Sequence, residues 1–242
     1  MALPLDPLLE QLKDLAARPL AEARALPKDF YVRPDIHDLE QERVFARSWL
    51  CAGRADEVAS PGDYMTFELG PQPVIIIRGR DGEIGARANV CRHRMMRLVE
   101  GRGTTRRFTC PYHAWTYDID GGLVAAPHMD KTDCFTREEL SLAAVRCEVF
   151  QGWIYVTLAA DIPPVAEQLA ELTPLIDRYN QQHYVTIFSE EHVWDTNWKC
   201  LTENFMESYH LPVAHRGTVG AHYAVEENTF DERGAFDAFT CQ

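Results

Sequence analysis

Two short segments that each pair a cysteine with a histidine constrain this chain more than any other feature. The segment "CRHR" places Cys91 and His93 two positions apart, and "CPYHAW" places Cys110 and His113 three positions apart. Each segment follows a predicted β-strand, so we expect both pairs in loops that can close around one centre. Thiolates and imidazoles bind transition metals, and the pattern therefore predicts a metal centre.

The distribution of these ligand types bears on which metal is bound. One alternative is a structural zinc site of two cysteines and two histidines. Zinc fingers usually present a cysteine pair followed by a histidine pair on a helix, whereas here each loop supplies one of each. That mixture favours a [2Fe-2S] centre in which one iron has two thiolates and the other has two imidazoles. We expect Tyr112, Trp115 and Tyr117 to pack over the centre and Pro111 to stiffen its loop.

Periodicity and turn signals divide the chain into three predicted parts. Residues 1–45 are a helical segment that contains the amphipathic stretch "PLLEQLKDLAAR". Residues 46–158 are a β-domain with strands "DYMTFEL", "PVIIIRG" and "GWIYVTL" and Asp-Gly hairpin turns in "RDGE" and "DIDGGL". Residues 159–242 mix helix and strand. The sequence thus predicts an α+β fold with an antiparallel β-domain at its centre.

The third part carries three predicted elements. "DIPPVAEQLAELTPLIDRYN" is apolar at helical spacing, and "HYVTIFSEEHVW" is typical of a strand. "NWKCLTENFMESYHLPVAH" is predicted as a helix that continues to about Leu211.

The last of these elements contains a candidate site for a second metal. On a helix, Glu203, Glu207 and His210 lie on one face, and Pro212 would end the helix and return His215 toward His210. Two histidines and a carboxylate bind non-haem Fe(II) and leave positions open for O2 and substrate. Glu203, with the adjacent asparagine, either lines the route to the iron or only anchors the helix.

Composition excludes several classes of function. The net charge of -13 argues against general nucleic-acid binding, which needs a basic surface. No apolar run approaches the roughly 20 residues of a membrane span, and the N-terminus lacks the order of a signal peptide. The seven cysteines are scattered and odd in number, as expected of reduced thiols or metal ligands in a cytoplasmic protein.

Together, "CRHR…CPYHAW" and "NWKCLTENFMESYHLPVAH" resemble the oxygenase (α) subunit of Rieske non-haem iron oxygenases, the ring-hydroxylating oxygenase family. The resemblance runs from about residue 30 to the end of the chain. It implies a Rieske [2Fe-2S] domain followed by a helix-grip catalytic domain, which is a twisted antiparallel sheet with helices. It also implies that the cluster is held by Cys91, His93, Cys110 and His113.

For the second centre, the resemblance makes His210 and His215 ligands of a mononuclear Fe(II). Glu207 matches a carboxylate that bridges to a cluster histidine of the neighbouring subunit, so that electrons cross between subunits of a trimeric ring. In this family, the bridging position is more often occupied by aspartate. Members with Glu include several that act on quaternary ammonium compounds such as carnitine or glycine betaine, although the longer side chain could also only fit a different interface.

The activity implied by the resemblance is O2-dependent hydroxylation or oxidative demethylation of a small organic substrate, either an aromatic compound or an N-methylated ammonium compound. The reaction would be a monooxygenation or a dioxygenation. Electrons would come from NAD(P)H through a reductase or a ferredoxin.

The third iron ligand of the family is an Asp far beyond residue 242. Asp231 and Asp237 are alternatives within the chain, but we expect the sequence to be a fragment that lacks most of its catalytic domain. The alternative function is a Rieske electron-transfer protein without a competent iron site.

The region between the two cysteine–histidine pairs is rich in arginine. It has one acidic residue, Glu100, and a local charge of +5. The arginines are Arg92, Arg94, Arg97, Arg102, Arg106 and Arg107. They predict a docking surface for an acidic ferredoxin or reductase, whose association would be electrostatically steered; the alternative is an ordinary solvated loop.

Overall fold

The computed structural model describes residues 5–129, 131–222, 228–233 and 236–241. Within them the α-helices are α1 Leu5–Ala16, α2 Asp29–Val32, α3 Pro34–Arg43, α4 Val165–Gln168, α5 Thr173–Ile176, α6 Trp198–Phe205 and α7 Leu211–Ala214. The strands are β1 Leu50–Arg54, β2 Asp63–Leu69, β3 Gln72–Arg78, β4 Ile84–Ala88, β5 Arg102–Thr104, β6 Arg107–Thr109, β7 Thr116–Asp118, β8 Leu123–Ala125, β9 Ala144–Phe150, β10 Trp153–Thr157, β11 Asn228–Arg233 and β12 Phe236–Cys241.

The chain forms two compact units. One comprises residues 40–189, and the other comprises the described parts of 1–39 and 190–242. The predicted α+β class with an antiparallel β-domain is confirmed. The predicted three-part domain division stays a prediction. Among the described residues, none of the helices has the length and apolar character needed to cross a membrane.

The β-rich unit is built on a seven-stranded antiparallel sheet with the order β1-β10-β9-β4-β3-β2-β5. The predicted strands "DYMTFEL" and "GWIYVTL" coincide with β2 and β10, and "RDGE" forms the turn between β3 and β4. A smaller sheet, β6-β7-β8, contains the second Asp-Gly turn. These local predictions hold because turn residues and alternating apolar residues specify hairpins over short distances.

Strand β3 supplies side chains to two cores, one on each face of the sheet. Ile75 and Ile77 pack in a cluster that includes Cys91 and Cys110. Their neighbours Val74 and Ile76 pack with residues of β1 and β10 instead. Because side chains alternate across a strand, a continuous run of β-branched residues is suited to burial on both faces. The face of the sheet that carries Ile75 and Ile77 therefore packs against the two candidate cysteine ligands.

Two predicted elements of residues 159–194 form differently. The expected helix over 161–180 is divided into α4, α5 and a 3-10 turn, and Pro174 lies in the first turn of α5. A proline removes an N–H donor and clashes with the preceding turn, so a continuous helix cannot pass through it.

The segment predicted as a strand over 183–194 forms no strand with the described residues. It is exposed, and Ile187 and Val193 retain 94% and 96% of their accessible surface. A strand is stabilised by hydrogen bonds to a neighbour, which local sequence cannot supply.

The second unit has a small core of Leu8, Phe30 and Ile36 from the first three helices. The prediction of one helix to about Leu211 is wrong, because α6 ends at Phe205 and a turn separates it from α7. Pro212 lies in the first turn of α7, where a proline is well tolerated.

Candidate metal centres

Both cysteine–histidine pairs lie in hairpin loops of equal length. The first loop, residues 91–96, is flanked by a β-bridge between Val90 and Arg97. The second loop, residues 110–115, joins β6 to β7, whose residues pair up to its edge. The prediction that each pair occupies a loop after a strand agrees with this arrangement.

The two loops are closed by the same hydrogen bonds. The Cys91 N–H donates to the carbonyl of Met96 (2.8 Å), and the Cys110 N–H donates to the carbonyl of Trp115 (2.7 Å). In both loops the N–H of the residue four positions after the cysteine donates back to the cysteine carbonyl, at 3.0 Å. The loops are therefore near-copies of each other in backbone structure.

The fifth residue of each loop adopts a left-handed backbone conformation. Met95 has a φ of 56° and Ala114 a φ of 57°. This conformation costs about 1–2 kcal/mol for a residue with a Cβ. Backbone strain of this kind persists only where surrounding contacts hold the residue in place, and such residues are concentrated at functional sites.

Across the two loops, side chains of the same ligand type lie next to each other. The thiol of Cys110 lies close enough to interact with that of Cys91, and the rings of His93 and His113 lie 4.6 Å apart between their centroids. This arrangement fits a centre with two metal atoms, one bound by two thiolates and the other by two imidazoles. This is the pairing expected from the distribution of cysteine and histidine over the two loops.

The electrostatic surroundings of the ligands also fit a metal-bound group. The Nδ1 atom of His93 is buried and has no hydrogen-bond partner among the described residues, although a buried polar atom usually has one. Burial, and to a lesser degree the nearby His113, lowers the pKa of His93 and so favours the neutral imidazole that binds metals. Burial raises the pKa of the Cys91 thiol, so its ionisation would depend on a bound metal.

Aromatic side chains surround the ligands as predicted, with one exception. Trp115 is buried and stacks on the ring of His93 at 4.8 Å and 8°. Tyr112 contacts the ring of His113 but remains 60% exposed. It therefore covers one side of the imidazole without shielding the loop from water.

Tyr117 is fully buried beneath the first loop. Its hydroxyl oxygen accepts the N–H of Arg92 (3.0 Å) and lies 3.4 Å from the Sγ atom of Cys91. Because the backbone N–H can only donate, the single hydroxyl proton is free to point at the sulfur. A metal-bound thiolate can only accept, so Tyr117 would donate this hydrogen bond to one candidate ligand.

Asn89, which sequence analysis did not single out, fixes the base of the first loop. Its Oδ1 accepts the N–H groups of Leu98 and Val99 (both 3.2 Å), and its Nδ2 donates to the Val99 carbonyl (2.7 Å). A fully buried amide with these contacts holds the two ends of the loop together. In the sequence, its position two residues before Cys91 was the only signal for this role.

The second candidate centre lies after α6 rather than on it. Glu207 binds His210 through both carboxylate oxygens: Oε1 pairs with Nδ1 of the ring, and Oε2 accepts the backbone N–H at 3.2 Å. The hydrogen bonds from His210 hold the pKa of the Glu207 carboxyl below its usual range. With Nδ1 hydrogen-bonded to a carboxylate, Nε2 of His210 is left to bind a metal.

His215 lies beside His210 because α7 is only one turn long. Their ring centroids are 5.4 Å apart. Within the described residues no third His, Cys, Asp or Glu side chain completes a group around one ion. Of the alternatives Asp231 and Asp237, the structure describes the backbone but not the side chains.

Glu203 does not share a face with Glu207 and His210 as predicted. It remains on α6, where its carboxylate accepts a hydrogen bond from the Tyr31 hydroxyl (2.6 Å). The common face was lost because the helix ends two residues before Glu207. Of the two roles left open for Glu203, this contact favours anchoring of the helix.

The structure divides the six arginines between Cys91 and His113 into two groups. Arg97 pairs with Glu68, and Arg102 pairs with Glu57, from strands and turns distant in sequence. The remaining four form no ion pair with any acidic side chain of the described chain. These exposed residues, named here the arginine patch, are Arg92, Arg94, Arg106 and Arg107.

Comparisons with known families match both candidate centres. Residues 48–136 match the model of the Rieske [2Fe-2S] domain. Residues 176–240 match the catalytic domain of the ring-hydroxylating alpha subunit. The first match indicates a [2Fe-2S] cluster and the second implies a mononuclear iron.

Individual relatives include oxygenase subunits that act on quaternary ammonium compounds. The chain is 35% identical to the carnitine monooxygenase oxygenase subunit of Acinetobacter pittii, over 85% of this chain and 56% of the relative. It is 32% identical to the glycine betaine monooxygenase oxygenase subunit of Pseudomonas aeruginosa, over 88% and 49%. The chain thus spans about half the length of the curated relatives it matches.

Solved structures of oxygenases are also similar to this chain. The quaternary ammonium Rieske monooxygenase CntA in complex with L-carnitine superposes with a TM-score of 0.77 and 31% identity, over 86% of this chain and 59% of that one. Naphthalene 1,2-dioxygenase from a Rhodococcus species superposes with a TM-score of 0.76 and 25% identity, over 95% and 55%.

Proposed function

The chain belongs to the family of Rieske non-haem iron oxygenase α subunits, and we propose that it is part of an oxygenase that hydroxylates or oxidatively demethylates a small organic substrate. The observation that carries this proposal is the pair of matched loops, in which thiol lies beside thiol and imidazole beside imidazole. The proposed cluster ligands are Cys91, His93, Cys110 and His113. The proposed ligands of the mononuclear Fe(II) are His210 and His215.

When bound, the cluster supplies single electrons, and the mononuclear iron supplies a site for O2 beside the substrate. The residues of this chain have separate tasks in that scheme. Tyr117 donates a hydrogen bond to the Cys91 sulfur, and stacked Trp115 shields His93 from water. Glu207 accepts the ring proton of His210, which would leave the opposite nitrogen available to hold the iron.

For the substrate we propose an N-methylated ammonium compound. The support is the identity of the relatives named as carnitine and glycine betaine monooxygenases, together with the glutamate at position 207. An aromatic substrate is the alternative, because the relatives also include an alpha subunit of chlorobenzene dioxygenase.

For its partners, we propose a ferredoxin or NAD(P)H-dependent reductase as the electron donor and a homotrimeric ring as the assembly. In such a ring Glu207 would connect the iron site to the cluster of a neighbouring copy. The structure of a related quaternary ammonium Rieske monooxygenase gives insight into inter-subunit electron transfer in that protein, which supports this role. The cytoplasmic location stays a prediction.

A substrate panel tests the proposed activity directly. A full-length protein that contains this chain, loaded with cluster and iron and reduced with dithionite, is mixed with O2 and carnitine, glycine betaine, naphthalene or no addition. We expect an ammonium compound to accelerate cluster reoxidation and to be consumed. Acceleration by naphthalene alone would replace the proposed substrate class, and reoxidation indifferent to every compound would favour the electron-transfer alternative.

The Tyr117 hydroxyl should raise the reduction potential of the cluster. Hydrogen bonds to ligand sulfur stabilise the more negative reduced state. Tyr117→Phe keeps the buried ring and removes only the donor, so we expect the midpoint potential to fall by roughly 40 mV for a bond worth about 1 kcal/mol. Redox titration followed by visible absorption measures this change. An unaltered potential would show that the hydroxyl only supports the backbone at Arg92.

The arginine patch should steer an acidic electron donor. We expect donor-driven reduction to slow as ionic strength rises, and Arg94→Glu with Arg106→Glu to slow it about tenfold at low salt. Arg102 is unsuitable for this test because its reversal would also break the ion pair with Glu57.

The matched control for the patch is Arg24→Glu with Lys28→Glu, which also reverses two positive charges, at exposed positions outside the patch. Stopped-flow measurements with the donor and with dithionite separate docking from redox chemistry. Equal slowing by the control, or a donor rate insensitive to salt, would place donor docking elsewhere.

A further inference from the structure

The N-terminal segment supports the helix that leads to the candidate iron site. Its residue Tyr31 precedes both regions matched by family models, which begin at residues 48 and 176. Tyr31 lies in α2 directly after Phe30, which is buried against Leu8 and Ile36. This small core holds the tyrosine backbone in place, so its contacts can act as a fixed support.

The first contact is at the start of α6. Asn197 caps the helix, because its Oδ1 accepts the N–H of Lys199 (3.0 Å). The Nδ2 of the same amide donates to the carbonyl of Tyr31 (3.0 Å). One side chain thus both begins the helix and attaches it to the N-terminal segment.

The second contact is near the end of α6. The Tyr31 hydroxyl donates to Glu203 over 2.6 Å, and this bond raises the pKa of Tyr31 to about 12. Between the two hydrogen bonds, the Lys199 ammonium lies 5.7 Å from the centre of the tyrosine ring. Contacts at positions 197, 199 and 203 cover about 9 Å of helix at 1.5 Å per residue.

We propose that the Tyr31–Glu203 hydrogen bond positions the segment that carries Glu207 and His210. An eight-residue helix is marginal by itself and needs tertiary contacts. Since α6 ends at Phe205, its last turn determines where that segment starts. Tyr31 is accordingly a positioning residue, and its meaning as support for an iron site rests on the function proposed above.

Hydrogen exchange in the metal-free chain tests this role. Tyr31→Phe keeps the ring and the backbone carbonyl and removes only the hydroxyl. We expect amides of residues 206–215 to exchange about fivefold faster, the factor implied by the loss of one hydrogen bond of ordinary net strength. Amides of α1 and of the two cluster loops should keep their rates.

Two further variants separate positioning from general packing. Glu203→Gln keeps an acceptor oxygen for the hydroxyl, so it should exchange close to the wild-type rate. Glu203→Ala should match Tyr31→Phe, and the double variant should be no faster than either single one. Tyr184→Phe removes an exposed hydroxyl that makes no hydrogen bond to the described residues, and it is the control.

Unchanged exchange over 206–215 in Tyr31→Phe would overturn the proposal. Equal acceleration of α1 and 206–215 would overturn it too, because it would reveal a loss of global stability. The measurement needs no metal, so failure of the chain to bind iron would contradict the proposed function and leave this result standing.

Discussion

Replacing Cys110 with alanine should abolish the [2Fe-2S] cluster. Cys110 and Cys91 are the proposed thiolate ligands of one iron, and a single thiolate with no replacement cannot hold it. The purified variant should be colourless and should contain neither iron nor acid-labile sulfide at this site. Absorption spectra and iron and sulfide analysis measure the loss.

The matched control is Cys134→Ala, which removes an exposed free thiol outside both loops. It should keep the full colour and metal content. Circular dichroism of both variants should show that the sheet has formed, since replacing cysteine by alanine removes only the sulfur atom. A Cys110→Ala protein with wild-type cluster content would contradict the ligand assignment.

The second large effect is expected at Glu207. Glu207→Gln keeps an oxygen that can accept the His210 ring proton, so both metal centres should remain loaded. It removes the negative charge that we propose as the bridge to the cluster of a neighbouring copy. In a full-length protein that contains this chain, we expect single-turnover reoxidation of the reduced cluster, with substrate and O2, to slow by at least about tenfold.

Glu191→Gln is the control for this substitution. It neutralises an exposed carboxylate for which the described residues provide no hydrogen-bond or ion-pair partner, and it should reoxidise at the wild-type rate. If Glu207→Gln reoxidised normally while retaining both metals, the carboxylate would only orient His210 within its own chain.

Features set by short stretches of sequence could be predicted. The two ligand loops lie between strands with clear turn signals, and their closing hydrogen bonds join residues at most five positions apart. The location of Cys91 and His113 in such loops therefore follows from local sequence.

Features set by distant partners could not be predicted in this way. The neutralisation of Arg102 depends on Glu57, 45 residues away, and the anchoring of Glu203 depends on Tyr31, 172 residues away. Neither partner is identifiable by spacing. Such contacts decide which arginines stay unpaired and how the helix before the iron ligands is held.

The end of α6 was missed for a more local reason. The pattern through His210 has helical spacing, but Glu207 uses its carboxylate to bind the His210 N–H and ring. Ser208 between them is buried. A side chain that hydrogen-bonds nearby backbone competes with the helix for those groups, and simple periodicity does not register this competition.

Metal and sulfide analysis of the purified chain tests the central claim most directly. The proposed cluster predicts a red-brown protein with about two irons and two acid-labile sulfides per chain at the two loops. One zinc per chain in a colourless protein without sulfide would contradict it and make the four ligands a structural zinc site.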